Sequence, residues 1–504
     1  MVATLVLSEW PWRIVADLAR VRNLNTWVVG GAVRDTLLGR PVHDWDFAVD
    51  RHALRLARAV ADALGGAYYT LDAERGTGRV LLTAEDGDQL NLDFAELRGG
   101  GLREDLLLRD FTINAMAIDE ADQLIDPLGG EWDLACRLIR ATGAWSFCDD
   151  PLRTLRAVRQ AHQFSFTVEP QTQAWMRRDA HRLAASSKER VRDEFIRLIE
   201  LPGAILALEQ LADFGLLRFI LPVLEGLGEV PQAWPHRFDV WRHTLFVLDN
   251  LEGVLAAATG DESVLLALSD APDHVWDDVR STLGRFASGI GAHLAVEVSS
   301  GRDQLVLLKL VALLHDAGKL ETLSTDVGGG IHFYGHSRAG ALLAEEAFEG
   351  LRFSAREQAR ARCIVQGHLR PGQLGREPAV TRRAVYRYYR DLGDAGVDVI
   401  LLGLADHLAT WGPNIQKGRW HRCLEIAEML LSHYFDHYDQ TVSPLPLLTG
   451  REVMEELELA PGPQIGEILE AVREAQAAGE AMTRDEALIV ARETAVGSRM
   501  SAES

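Results

Sequence analysis

A chain of 504 residues with a formal net charge of −22, 47% hydrophobic and 25% charged, has the composition of a globular protein and not of a disordered one. At roughly 150 residues per domain it has room for about three domains. No run approaches the ~18 uninterrupted apolar residues of a membrane helix, and Met1–Trp10 lacks the basic region and long apolar core of a secretory signal. The four cysteines (Cys136, Cys148, Cys363 and Cys423) lie far apart with no C-x-x-C pair, which argues against a zinc ribbon or a disulfide framework and fits a reducing, cytoplasmic setting.

Residues up to about 145 mix strand and helix signals. Trp27-Val28-Val29 has the apolar character of a short buried strand and runs into Gly30-Gly31-Ala32-Val33-Arg34-Asp35. Asp44-Trp45-Asp46-Phe47 follows, in which a strand would aim Asp44 and Asp46 to the same side. Two carboxylates on one face repel each other unless something positive lies between them, and the usual occupant is a pair of Mg²⁺ ions. The glycine pair allows close approach of a triphosphate, and Arg34 can neutralise part of it. Together these features have the form of a nucleotidyltransferase active site.

Glu74–Gly78 is expected to be a turn or mobile loop. Leu90-Asn91-Leu92-Asp93-Phe94 alternates like a strand and offers Asp93 as a candidate third carboxylate. In Leu108-Arg109-Asp110-Phe111-Thr112-Ile113-Asn114, Asp110 can accept from ribose hydroxyls and Arg109 can neutralise phosphate. The plainer alternative is an N-capped amphipathic helix, with Asp110 or Thr112 as the cap.

From Asp149 to about Leu224 the pattern is helical. Asp150 before Pro151 predicts a helix start, with the aspartate as N-cap and the proline at N1. Asp150, Arg153 and Arg156 then share a helix face, where a carboxylate beside a guanidinium can hydrogen-bond a nucleobase edge. An acidic chain repels a polyanion unless cations gather where contact occurs, and here they do: residues 151–200 hold ten Lys/Arg against six Asp/Glu. Pro222 and the 226–235 stretch predict a linker. Phe238 to His437 is helical and rich in histidine, interrupted at Val327–Ile331. Pro444-Leu445-Pro446 marks another boundary before a last helical segment from Thr449 to about Thr494.

The pieces GGAVRD, the D-W-D pair, LRDFTINAMAID, DPLGG (Asp126–Gly130), LIRATG (Leu138–Gly143), DDPLRTLRAVR and KERVRDEF (Lys188–Phe195) resemble, in order and spacing over about the first 200 residues, the class II tRNA nucleotidyltransferase and poly(A) polymerase family. The resemblance implies that Asp44 and Asp46 bind catalytic Mg²⁺, that Arg109 and Asp110 contact triphosphate or ribose, and that Asp150 and Arg153 read the base of CTP or ATP with tRNA as acceptor. The candidate nucleotide-binding set is Gly30, Gly31, Arg34, Arg109, Asp110, Asn114, Asp150, Arg153, Arg156 and Arg159. Leu108 stands where the family often has arginine, and Asp149 where it often has glutamate. CCA addition is the leading expectation. Poly(A) synthesis or partial CC or A addition shares every motif, and Glu74–Asp88 is the stretch expected to govern a change from CTP to ATP.

His243, His315-Asp316, His336, His368 and Asp406 are widely separated in sequence, yet imidazole and carboxylate together suit a divalent transition metal. From Phe238 to Trp411 the chain resembles an HD-domain metal-dependent phosphohydrolase module. That resemblance implies His243, His315, Asp316 and Asp406 as core ligands, His336 and His368 for a second metal, and Ni, Mn, Co or Fe as the ion. A chain acting mainly as an HD phosphohydrolase on RNA or nucleotides is the reading from a different class. The C-terminal segment resembles the tail of such enzymes, which places the helix start at Gly462–Gly466 toward a phosphate backbone. The expected fold is α+β: a small mixed-sheet head (1–145), then a mostly helical neck (146–235), HD domain (236–440) and tRNA-binding tail (441–504). No membrane partner is expected.

Overall fold

The computed structural model describes residues 11–83, 89–261 and 269–502. Two compact units are present, one of residues 1–194 with 209–219 and one of residues 195–208 with 220–504. The segment expected as head lies in the first unit, whereas the expected neck (146–235) is divided, with residues 195–208 and 220–235 in the second. The histidine-rich and tail segments lie in the second.

The first unit is built on a seven-stranded mixed sheet in the order β3-β4-β5-β2-β1-β6-β7. Its strands are β1 (Thr26–Val29), β2 (Asp44–Val49), β3 (Ala67–Asp72), β4 (Thr77–Thr83), β5 (Gln89–Glu96), β6 (Ala117–Ile118) and β7 (Leu124–Ile125). Alternation along β2 decides what faces where. Trp45 and Phe47 point into a core closed by the helices Trp12–Val21 and Ala53–Leu64, while Asp44 and Asp46 take the opposite face. Phe47 stacks on Phe94 of β5 at 4.9 Å and on Trp12 at 6.0 Å between ring centroids, so the strand that carries the carboxylates is clamped from behind. β2 and β5 run parallel, with Asp44 opposite Asn91 and Asp46 opposite Asp93.

The Glu74–Asp88 stretch is mostly ordered hairpin. Residues 77–83 are β4, and the β3–β4 turn is closed by Asp72 Oδ1 accepting the N–H groups of Glu74 and Arg75, both at 3.0 Å. Residues 84–88 lie outside the described residues. The helix expected at Asp150 is displaced by one turn. Asp150 Oδ1 does accept the Leu152 N–H, but the first turn closes through i→i−3 bonds, and the α-helix runs Arg153–Phe164.

In the second unit the apolar helix Gln304–Leu314 is buried along nearly its whole length and delivers His315-Asp316 at its C-terminal end. The helices Val240–Thr259 and Ala395–Trp411 pack together beside it and supply His243 and Asp406. The long stretch between His243 and His315 includes the helices Asp273–Leu283 and Ala287–Leu294, with residues 262–268 outside the described residues. The interruption near Val327 is a small hairpin in which Asp326 accepts from the N–H groups of Gly328 and Gly330. The tail is three helices, Gly450–Leu457, Pro463–Ala478 and Arg484–Ala502, around a small core of their own.

Candidate active site and metal centre

Gly30 sits at the end of β1 with φ +74°, a backbone conformation that glycine adopts without strain. A Cβ there would lie 2.7 Å from Arg109 Nη1 and 3.0 Å from Asp46 Oδ2. The bare backbone thus separates one cation and one carboxylate of the site with no room to spare. Asp44 is exposed and accepts from Asn91 Nδ2 at 2.7 Å. Asp46 is partly covered, and its pKa is pushed up to about 6, first by burial and then by the charges of Asp93 and Asp44, with Arg109 pulling the other way. A carboxylate held this unfavourably without a cation is the expected signature of a cation site, so the pair fits the Mg²⁺ that the fold implies.

Asp93 lies opposite Asp46 in the strand register, as the sequence suggests. Its charge is already matched, because Arg79 Nε and Nη2 grip the two carboxylate oxygens at 2.7 Å each. Arg79 was not among the residues read from the sequence, although β4 places it directly across from Asp93.

Arg34, expected to neutralise phosphate, is held by its neighbours. Its Nε and Nη2 donate to Asp35 at 2.9 and 2.8 Å, its Nη1 donates to Asn114 Oδ1 at 2.7 Å, and its guanidinium stacks on Phe164 at 4.4 Å. The side chain is only 11% exposed, and each of its three nitrogens makes one of these bonds, so Arg34 helps to hold the frame of the site. Asn114 passes the connection on by donating to Asp110 Oδ1 at 2.9 Å and to Gln160 at 3.1 Å. Asp110 is buried, yet Arg156 at 2.9 Å from Oδ2, with Asn114 and the Phe111 N–H, holds its pKa below the usual carboxylate value against the pull of burial. Arg109 pairs with Asp105 at 3.3 Å while its Nη1 remains beside Gly30.

Asp150 and Arg153 are near neighbours but are not bonded to each other. Asp150 Oδ2 accepts from Arg190 Nη2 at 2.7 Å. Arg153 donates through Nη2 to the Leu108 carbonyl at 2.8 Å and through Nη1 to the Arg109 carbonyl at 3.2 Å and Ser146 Oγ at 3.0 Å. The two residues expected to read the base therefore hold separate contacts, and Arg153 clamps the turn that presents Arg109. Arg159 is likewise committed, with Nε on Glu194 at 2.5 Å and Nη1 on Gln163 at 2.8 Å. It ties the helix Arg153–Phe164 to the one beginning at Lys188.

The histidines converge. His243, His315 and Asp406 bring one ligand atom each within 4.8 Å of the others, as do Asp316, His336 and His368. Asp316 faces both groups. Its Oδ2 lies 3.3 Å from His315 Nε2 and 3.5 Å from His243 Nε2, and its Oδ1 lies 3.5 Å from His336 Nε2 and 3.9 Å from His368 Nε2. The Nε2 atoms of His243, His315 and His336 are buried without a well-formed hydrogen bond, while Nδ1 of His315, His336 and His368 is turned to a backbone carbonyl. For these three that orientation fixes the tautomer with the proton on Nδ1, and it turns the Nε2 of His315 toward the first group and those of His336 and His368 toward the second, as metal ligation requires. Burial and the neighbouring His315 lower the His368 pKa to about 4, so its imidazole is neutral at physiological pH. The donor set therefore fits two divalent ions sharing Asp316.

Lys319, one turn after Asp316, places Nζ 2.6 Å from Asp316 Oδ2 and 2.6 Å from Gln232 Oε1. His236 packs edge-on against His243 at 4.9 Å. Sequence reading missed all three of these neighbours. Only Lys319 had a visible signal, in its spacing from the His-Asp pair.

Residues 26–140 match the poly(A) polymerase head domain, and residues 165–227 match a probable RNA- and SrmB-binding site of polymerase A. The A-adding tRNA nucleotidyltransferase of Deinococcus radiodurans is 36% identical over 91% of this chain and 93% of its own length. The CC-adding tRNA nucleotidyltransferase of Geobacter sulfurreducens is 32% identical over 94% and 93%. The fold is similar to that of a Thermotoga maritima CCA-adding enzyme complexed with tRNA, with a TM-score of 0.59 at 20% identity over 98% of this chain and 97% of that one. Among the described residues no helix is long and apolar enough to cross a membrane.

Proposed function

The chain belongs to the family of tRNA nucleotidyltransferases, and we propose that its head carries out template-independent addition of nucleotides to the 3′ end of tRNA on the face of β2 that bears Asp44 and Asp46. The observation that carries the assignment of the site is the placement of these two strand-borne carboxylates beside Gly30 and Arg109. Asp44 and Asp46 would hold Mg²⁺, which when bound supplies activation of the attacking 3′-hydroxyl and charge stabilisation for the departing pyrophosphate. The chain's own groups do the rest. Arg109, beside the bare Gly30 backbone, neutralises phosphate oxygens. Asp110, kept ionised by Arg156, accepts from ribose hydroxyls.

Asp150 supplies base selection. Cytosine and adenine both present an exocyclic amine where guanine and uracil present a carbonyl, so one fixed carboxylate admits CTP and ATP and rejects GTP and UTP. A carboxylate alone does not distinguish C from A. Restriction to one of them is the reading favoured by two relatives matched over nine-tenths of this chain, one named A-adding and the other CC-adding. The alternative is addition of the complete CCA end. tRNAs ending at the discriminator base, at C or at CC, offered CTP and ATP separately, give product lengths that differ for A addition, CC addition, CCA addition and poly(A) synthesis.

The histidine centre supports a second reading for the other unit, that of an HD-type phosphohydrolase using Mn, Ni, Co or Fe. The orphaned Nε2 atoms and the shared Asp316 favour it. Hydrolysis of phosphodiesters that needs such an ion and persists after loss of Asp44 and Asp46 would establish it. Its absence with every one of these ions would remove it.

A further inference from the structure

Trp145 is 73% exposed, although the backbone around it is held by hydrogen bonds. Its carbonyl accepts from the N–H groups of Cys148 and Asp149, both at 3.0 Å, and the Ser146 N–H donates to Gly143. The residues on either side connect it to two different cations. Ser146 accepts from Arg153, which clamps the Leu108–Arg109 turn of the transfer site. Ala144 accepts from Arg178 Nη2 at 2.6 Å. Trp145 is therefore flanked in the chain by one residue tied to the transfer-site turn and one tied to an arginine of the helix Pro170–Asp179.

Those arginines are themselves set for phosphate. Arg178 and Arg182 share the single buried carboxylate of Asp179, at 2.6 and 3.3 Å, which leaves an excess of positive charge on two half-exposed guanidiniums. A free nucleotide has its phosphates at Asp44, Asp46 and Arg109 and has no use for a second row of cations. An RNA strand has backbone phosphates upstream of its last base. Resting on the reading of the head as a tRNA nucleotidyltransferase, we propose that Trp145 is the stacking platform for the terminal base of the RNA acceptor, with Arg178 and Arg182 receiving the phosphates that precede it. Stacking uses the face that every base has, so this platform suits an end whose last base changes as nucleotides are added.

The test uses the full chain and a tRNA whose last nucleotide is 2-aminopurine, whose fluorescence falls on stacking. Binding to the native chain without nucleotide is expected to quench it, Trp145→Phe to retain most of the quench, and Trp145→Ala to lose it. In extension assays Trp145→Ala is expected to raise KM for tRNA about tenfold and leave KM for the nucleotide unchanged. Trp132→Ala, which removes a tryptophan that is 71% exposed elsewhere on the head, is expected to change neither. Equal quenching by native chain and Trp145→Ala overturns the proposal, as does a change confined to KM for the nucleotide. A native chain that extends no tRNA contradicts the family reaction itself, whereas a native chain that extends tRNA with Trp145→Ala indistinguishable from it contradicts only the platform.

Discussion

Arg190 donates to Asp150 across 40 residues of sequence, Nη2 to Oδ2 at 2.7 Å, and so occupies the aspartate that the motif itself would pair with Arg153. One oxygen of Asp150 is thereby fixed by Arg190 and the other accepts the Leu152 N–H at 3.2 Å, which orients the carboxylate before any nucleotide arrives. The pair is partly exposed, so solvent screening limits its contribution to about 1 kcal/mol of stability. Arg190→Ala is expected to leave the melting temperature within about 2 °C of native and to raise KM for the preferred nucleotide about three- to tenfold by freeing the carboxylate. Steady-state kinetics with CTP and ATP beside a thermal melt check it. A large loss of Tm with unchanged KM would make Arg190 structural.

Gly30→Ala addresses the close approach at the transfer site. The new methyl group would meet Arg109 Nη1 at 2.7 Å and Asp46 Oδ2 at 3.0 Å on a backbone at φ +74°. A cost of about 1–2 kcal/mol in stability is expected from the conformation, with a fall in kcat of about a hundredfold or more from displacing the two charged groups. Retention of native kcat would show that neither group has to stay where it is.

Asp46 carries a pH signature. Its pKa is raised from 3.8 to about 6 in the folded chain, mainly by burial. The unfolded chain ionises it near the ordinary value, so between the two the folded state binds the extra proton. The penalty is absent below the unfolded pKa of 3.8, grows as pH rises to about 6 and is complete above that. Asp46→Asn should therefore stabilise the metal-free protein at about pH 7.5 by up to about 3 kcal/mol, less what solvent screening removes, and make little difference near pH 4. Chemical unfolding of both proteins at the two pH values measures this. An equal effect at both would refute it.

Much of the head was legible because its chemistry rides on local periodicity. Alternation in β2 is enough to put Asp44 and Asp46 on one face with Trp45 and Phe47 behind them. The turn at Glu74–Gly78 and the β5 alternation carrying Asp93 were equally local signals. What escaped was long-range partnership. Nothing in the sequence around Arg34 shows that Asn114 and Phe164 will absorb it, and nothing around Asp93 marks Arg79 as its counter-ion. The same holds in the second unit. The histidines were recognisable by type and order, but the sharing of Asp316 between two groups follows from how separate helices converge.

That sharing makes a quantitative prediction. Asp316→Asn should lose metal from both groups, whereas His336→Ala should lose it from one, because Asp316 faces both groups and His336 belongs to one. The asparagine keeps an oxygen for Lys319, so the buried ammonium is not stranded. Metal content per chain after loading with Mn²⁺ and desalting reads the difference, and loading should raise the native Tm more than that of either variant. Equal losses in the two variants would contradict the shared-ligand geometry.

Transfer to tRNA depends on Asp44 and Asp46 as the holders of Mg²⁺. Incubation of tRNAs ending at the discriminator base, C or CC with CTP and with ATP, for the native chain and for the Asp44→Ala/Asp46→Ala double variant, tests it most directly. The native chain is expected to extend at least one of these ends and the double variant none, while the variant's circular dichroism and cooperative melt remain native-like. Undiminished extension by a folded double variant would contradict it.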